Sequence, residues 1–333
     1  MTCCDAHFRR RHGAPAAGLA LVAGIAAALS LTPAAQADSV IDLTHPIPTF
    51  KPMDGDPMKP DLSQPYEDIG LHPSFGAQAV FALGTFPTSD GHFDLGTLVL
   101  AEHHGTHLDT SAHYVNNDAS LEAAGMPAAE RKHAHELTAA DLTGRMVMID
   151  ISGRVMSELE KNGGRPSPDT SVTDFSNNSP NVVGPDDIEA VADDLEDGVW
   201  LVLNLGWSRF FFEGPDFAED PYINGWNHPG INKAAVDRLI ELMEEKDIRI
   251  KGIIADNIGI DSGESAIGID DKWTDSWHAH VRLLQRGLLF VENAANLDQL
   301  AQVDDGEDCL IAVGAPRHVH GTGGPSRVMA ICD

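Results

Sequence analysis

The chain has 333 residues, 42% hydrophobic and 22% charged, which is the composition of a globular and not a disordered protein. It carries 22 basic against 51 acidic residues, a formal net charge of −29. A field of that sign repels phosphate backbones and anionic headgroups, so neither nucleic acid nor membrane is expected as a partner.

Residues 1–37 read as an export signal and not as part of the fold. Arg9, Arg10 and Arg11 form a basic region, residues 19–31 are an alanine-rich apolar run, and Ala35-Gln36-Ala37 fits a small-residue cleavage site. The expected product is a periplasmic or secreted protein of residues 38–333, by the general or the twin-arginine route. Cleavage removes three arginines and Asp5, leaving 19 basic and 50 acidic residues and a net charge of −31. Cys3 and Cys4 leave with the signal, and the remaining Cys309 and Cys332 either pair in an oxidising compartment or stay as buried thiols.

Residues 39–43 read as a strand that stops at Thr44-His45-Pro46-Ile47-Pro48, where two prolines force an extended or turning backbone. A loop-rich stretch follows to about Gln78, and the apolar run 97–101 is strand-like. A strand is expected over 144–151 and an exposed connection over 162–185, which is heavy in Ser, Asn, Asp and Pro. Pro185-Asp186-Asp187-Ile188 opens a helix with acids in its first turn. Residues 199–205 are a buried-type strand. A helix runs over 232–245 with Ala235, Val236, Leu239, Ile240 and Met243 at core spacing. Residues 248–254 read as a strand, 280–285 as helical up to Gly287, and 288–291 as a further strand. Strand-like runs at 310–313 and 328–331 lie beside the two cysteines. Strands alternate with helices without an internal repeat, so the class is α/β.

The segment His103-His104-Gly105-Thr106-His107-Leu108-Asp109-Thr110-Ser111-Ala112-His113 carries the chemistry. Four imidazoles and a carboxylate in eleven positions are a dense supply of borderline metal ligands, and His-x3-His-x-Asp can deliver three to one divalent ion. Gly105 and Thr106 give the chain freedom to turn so that His103 and His107 face one point, while Asp109 returns to the side of His107. A histidine-rich surface loop that binds metal adventitiously is the bland alternative. Anchoring of the cluster directly after an apolar run argues against it.

The His-x-Gly-Thr-His-x-Asp-x3-His pattern resembles the signature of the cyclase-like metal-dependent hydrolase family, which includes bacterial kynurenine formamidase and isatin hydrolase. The similarity extends from about Ile41 to Ile331. It includes Asp42-Leu43-Thr44-His45-Pro46, Asn204-Leu205-Gly206-Trp207-Ser208, His228-Pro229-Gly230, Gly314-Ala315-Pro316 and Gly323-Gly324-Pro325-Ser326-Arg327. His280, with leucines at +3 and +4, and Glu292 twelve positions on resemble the family's distal His and Glu; His278 competes for the first role.

The resemblance implies a single-domain cyclase-like fold of the swivelling β/β/α type, with a mixed sheet and flanking helices. It implies His103, His107 and Asp109 as metal ligands, with His113, His280 and Glu292 completing or adjoining the site, for one or two ions of Zn or Mn. The implied reaction is addition of water to the carbonyl of a small-molecule amide, cyclic imide or lactone, with His113 or Glu292 carrying the proton and His113 preferred. A homo-oligomer, dimer or tetramer, is expected by the same likeness.

Two departures bear on substrate. Thr110-Ser111 stands where relatives commonly have Ala-Pro. Asp256-Asn257-Ile258-Gly259-Ile260-Asp261 aligns with a family stretch that carries Thr and Ser in place of Asn257 and Gly259, so a pocket hydroxyl is missing. Trp207, Phe210, Phe211 and Phe212 either wall an aromatic pocket or belong to the core. Two other classes fit the sequence less well. An exported metal-binding protein without turnover would tend to carry a low-complexity His tract instead of separated His and Glu positions. A serine hydrolase would need a Gly-x-Ser-x-Gly elbow, which the chain lacks.

Overall fold

The computed structural model describes residues 39–47, 49–50, 79–88, 91–113, 132–211, 221–267, 277–303 and 309–332. The expected export segment, most of the loop up to Gln78, and Phe212 lie outside the described residues. Twelve strands are defined: β1 Ser39–Asp42, β2 Thr49–Phe50, β3 Ala79–Thr88, β4 Gly91–Val99, β5 His107–Asp109, β6 Thr143–Asp150, β7 Trp200–Asn204, β8 Gly252–Ala255, β9 Leu289–Glu292, β10 Cys309–Gly314, β11 Gly323–Pro325 and β12 Arg327–Cys332.

Nine of them form one mixed sheet in the order β1-β12-β10-β6-β7-β8-β9-β5-β11, and β2, β3 and β4 form a small separate sheet. The four central strands, β6 to β9, are mutually parallel, and antiparallel strands flank them on both sides. This is a single α/β domain, as the alternation of strands and helices predicts.

β7 shows how the sequence builds the two faces. Successive side chains on a strand point to opposite sides, so Leu201 and Leu203 join one apolar cluster while Trp200 and Val202 join another. The first cluster lies under the helices and includes Val155 and Leu159 of Ser152–Glu160 and Val236 and Leu239 of Lys233–Lys246. All five apolar residues expected on the latter helix are buried, and Asn232 caps it by accepting from Ala235 N–H at 2.8 Å. The second cluster, on the other face, holds Leu108, Val291, Ile311, Val328 and the cysteines. Cys309 and Cys332 face each other across the β10–β12 ladder and are joined by a disulfide. That resolves the pairing that sequence leaves open.

Two local expectations are corrected. The connection 162–185 is not a bare surface loop: Phe175, Val182 and Val183 are fully buried, and buried polar groups such as Asn227, whose Oδ1 accepts from Phe175 N–H at 3.2 Å, satisfy its backbone. Its polar composition supplies the turns while a few apolar residues anchor them. The strand expected over 248–254 begins only at Gly252. Asp247 turns into a left-handed conformation at the helix end, and Ile248 N–H still bonds back to Met243, so the chain straightens late.

Candidate metal centre

Strand β5 places the first two side chains. His107 and Asp109 share one face, and Leu108 between them points into the apolar cluster behind. Gly105 ahead of the strand has φ +63°, a conformation that L side chains rarely adopt, which lets the chain double back so that His103 approaches Asp109. His107 Nδ1 donates to Gly105 O at 2.8 Å, leaving Nε2 facing the site. β9 runs antiparallel to β5 with Glu292 opposite His107 in register. The short cross-strand distance brings Glu292 Oε2 to 3.4 Å from His107 Nε2.

His280 arrives from a π-helical turn, His280–Leu284, whose ring packs edge-on against Phe290 of β9. Its Nε2 lies 3.0 Å from Glu292 Oε1 and 3.6 Å from Asp109 Oδ2. The competitor His278 faces away, with Nε2 3.1 Å from Asp237. His103 Nδ1 is 2.6 Å from Asp109 Oδ1, His107 Nε2 is 3.3 Å from the same oxygen, and His113 Nε2 is 3.9 Å from Oδ2. The His113 ring stacks on that of His103 at 3.8 Å. The other five residues named from sequence therefore converge on Asp109.

The ligand atoms form two overlapping groups, His103–Asp109–His113 and His107–Asp109–Glu292, each with its atoms within 4.8 Å of one another. Their electrostatics call for a cation. Burial raises the Glu292 carboxyl above its ordinary range, and the neighbouring Asp109 charge raises it further. Burial likewise opposes charge on Asp109, but His113, His103 and His107 outweigh it and hold its pKa well below the usual value. The His107 imidazole, disfavoured by burial, is nonetheless pushed up to about 9 by Asp109 and Glu292, whereas burial takes His113 down to about 3 against the pull of Asp109. Asp109 Oδ2 and Glu292 Oε1 are buried and receive no well-directed hydrogen bond; His280 Nε2 alone is shared between them. Two buried carboxylates ringed by imidazoles fit a divalent metal ion in donor chemistry.

A supporting layer was not foreseen from sequence. Asp261 accepts from His280 Nδ1 at 2.8 Å and from Ala279 N–H at 2.7 Å, fixing the ring. Thr322 Oγ1 lies 3.1 Å from His103 Nε2 and donates to Glu102 Oε2 at 2.7 Å, while Glu102 also meets His318. Asn293 Nδ2 donates to Gly105 O at 2.9 Å, pinning the turn before β5. Glu102, next to His103, is the one residue of this layer that proximity in sequence marks; Asp261 closes the 256–261 stretch with no local pattern that ties it to His280.

Those substitutions also find places. Asn257 is buried and donates to the carbonyls of Pro229 and Asp261, and a Cβ on Gly259 would lie 2.7 Å from the Trp277 ring. Of the aromatic residues after β7, Trp207 and Phe210 are core, while half-buried Phe211 stacks on His45 with ring centres 4.1 Å apart.

Comparison with known proteins agrees with the fold. An isatin hydrolase bound to the product analogue thioisatinate is 21% identical over 87% of this chain and 91% of that one, with a TM-score of 0.57. Isatin hydrolase A from Labrenzia aggregata, bound to benzyl benzoate, is 21% identical over 88% and 93%, with a TM-score of 0.54. Isatin hydrolase A from Ralstonia solanacearum is 19% identical over 89% and 92%, with a TM-score of 0.56. At these identities the likeness is one of fold. No curated protein matches the sequence. Residues 41–262, two thirds of the chain and including the His103–His113 segment and Asp261, match the Cyclase family, and the chain belongs to that family.

Proposed function

We propose that the protein is a metal-dependent hydrolase acting on the carbonyl of a small-molecule amide, cyclic imide or lactone, a class that includes formylkynurenine- and isatin-like compounds. The observation that carries the reading is the sharing of the buried Asp109 by two ligand groups, one fully buried and one at the rim. His103, His107 and Asp109 would hold the ion, with His280 and Glu292 beside them able to complete its shell or hold a second. A Zn or Mn ion there supplies a Lewis acid that polarises the carbonyl and lowers the pKa of water from ~16 towards ~7.

The chain's own groups handle the proton and the orientation. His113, half-buried at the rim beside Asp109, is placed to take a proton from water and deliver it to the leaving nitrogen or oxygen. Glu292 is the second candidate for that transfer. Asp261 holds the His280 ring with Nε2 inward, and Thr322 holds the outer nitrogen of His103. The proposal includes export by the N-terminal segment, which N-terminal sequencing of the secreted product checks, and a homo-oligomeric state.

The test is elemental analysis of the purified protein with hydrolysis of formylkynurenine, isatin and a lactone panel before and after chelation. Stoichiometric metal with chelator-sensitive turnover is expected. Asp109→Ala should lose metal and turnover together, and His113→Ala should lose turnover while keeping most of its metal. Metal without turnover on any of these compounds would favour a metal-binding protein, and an Asp109→Ala protein with full metal content would overturn the ligand assignment.

A further inference from the structure

Outside the candidate centre, a second group of histidines comes together from two segments. Ala134 N–H donates to Gly321 O at 2.8 Å, and this backbone contact sets the 133–135 turn against the 318–320 turn. The rings of His133, His135 and His320 then form a nearly equilateral triangle, with centroids 6.0, 5.7 and 5.6 Å apart. Three imidazoles on one ion at a bond length of about 2.1 Å place their ring centres roughly 5 Å apart; the three rings stand slightly wider than this and do not aim their nitrogens at one point as they stand, so the triangle closes on an ion by ring rotation and a small inward shift.

Two ring nitrogens are available as ligands. His135 Nδ1 is occupied by the N–H of His320 at 3.2 Å, which leaves its Nε2. His133 Nδ1 is buried and has no hydrogen-bond partner. Glu136 adds a carboxylate beside the rings; its Oε2 accepts from His133 N–H at 2.8 Å. The nearby cations are otherwise engaged: Lys132 pairs with Asp141 at 2.9 Å, and Arg317 donates to His135 O at 2.8 Å. His318 takes no part, being bound to Glu102.

We propose that His133, His135 and His320 form an accessory site for a borderline divalent transition ion, Zn²⁺ foremost, that cross-links the 132–138 and 316–322 segments. The donor set, three imidazoles with an adjacent carboxylate, suits Zn²⁺, Ni²⁺ or Cu²⁺ and not Mg²⁺ or Ca²⁺. Its structural consequence is local order in the segment that ends at Thr322, the hydroxyl partner of His103.

The test strips the full-length purified protein with chelator, equilibrates it at micromolar free Zn²⁺, and counts zinc per chain. His320 has φ +64°, which asparagine tolerates, so His320→Asn removes a ligand without backbone strain. His135→Gln is the second variant and keeps an acceptor for the His320 N–H. Each should bind one zinc fewer than wild type, while Asp109→Ala should retain that equivalent. The same saturating zinc content in wild type and both variants, or loss of the extra equivalent in Asp109→Ala, would overturn the proposal. Because Asp109→Ala reports the candidate centre separately, failure of the hydrolase reading leaves this readout intact.

Discussion

Asp109 and Glu292 are a pair of buried like charges, an arrangement that is costly unless a cation or a proton relieves it. In the structure imidazoles provide partial relief, and the one with the clearest orientation is His280, held by Asp261. The Asp–His arrangement fixes which nitrogen faces inward and increases its basicity. Asp261→Asn should therefore weaken metal binding by about 10- to 100-fold. The asparagine oxygen can still accept from Ala279 N–H, so the fold should persist, but its amide cannot restrain the imidazole as a carboxylate does. Competition against a chromophoric chelator reads the affinity, and an unchanged value would show that His280 needs no such support.

At the scale of elements, the centre is a seam where β9, β5 and β11 lie side by side, and β11 has a role that its sequence hides. Gly323 pairs with Asp109, and a Cβ there would lie 2.5 Å from both His103 Cε1 and the backbone oxygen of Leu108, and 3.0 Å from His103 Nδ1. The glycine is needed because the His103 ring and the β5 backbone both crowd that position. Gly323→Ala should push that ring away from Asp109 and reduce metal occupancy while the chain still folds, measured as zinc or manganese per chain alongside circular dichroism. Full occupancy would remove His103 from the ligand set or show that β11 yields easily. This contact also explains what was legible. His103, His107, Asp109 and His113 sit on one short segment, so spacing alone reveals them, and the resemblance adds His280 and Glu292 across a hairpin-like return. Thr322 and Gly323 act on His103 from more than 200 positions away, through the pairing of β11 with β5 that no local pattern encodes. The helix Lys233–Lys246 and strand β7 are legible because periodicity and burial coincide there, whereas the 162–185 connection reads as surface because its polar composition hides three buried apolar anchors.

On the scale of the whole molecule, charge is the dominant feature. Even if each of the 22 basic side chains neutralised one acid, 29 carboxylates would remain. Two unit charges 10 Å apart in water repel by about 0.4 kcal/mol, and many such pairs on one surface sum to several kcal/mol that unfolding relaxes. The exposed ion pairs, such as Arg145–Glu196 at 3.0 Å and Arg154–Asp187 at 2.8 Å, oppose this trend, but each contributes at most about 1 kcal/mol and is itself screened by salt. Added salt should therefore stabilise the fold, by roughly 2 kcal/mol between 0.01 and 1 M NaCl, read from urea denaturation because urea carries no charge. The shape of the curve identifies the cause. The Debye length falls from about 30 Å at 0.01 M to about 8 Å at 0.15 M, so screening predicts that most of the gain arrives below about 0.2 M. A gain that grew steadily to 1 M would point to exclusion of salt from the surface, and a loss on adding salt would mean that the ion pairs outweigh the excess carboxylates.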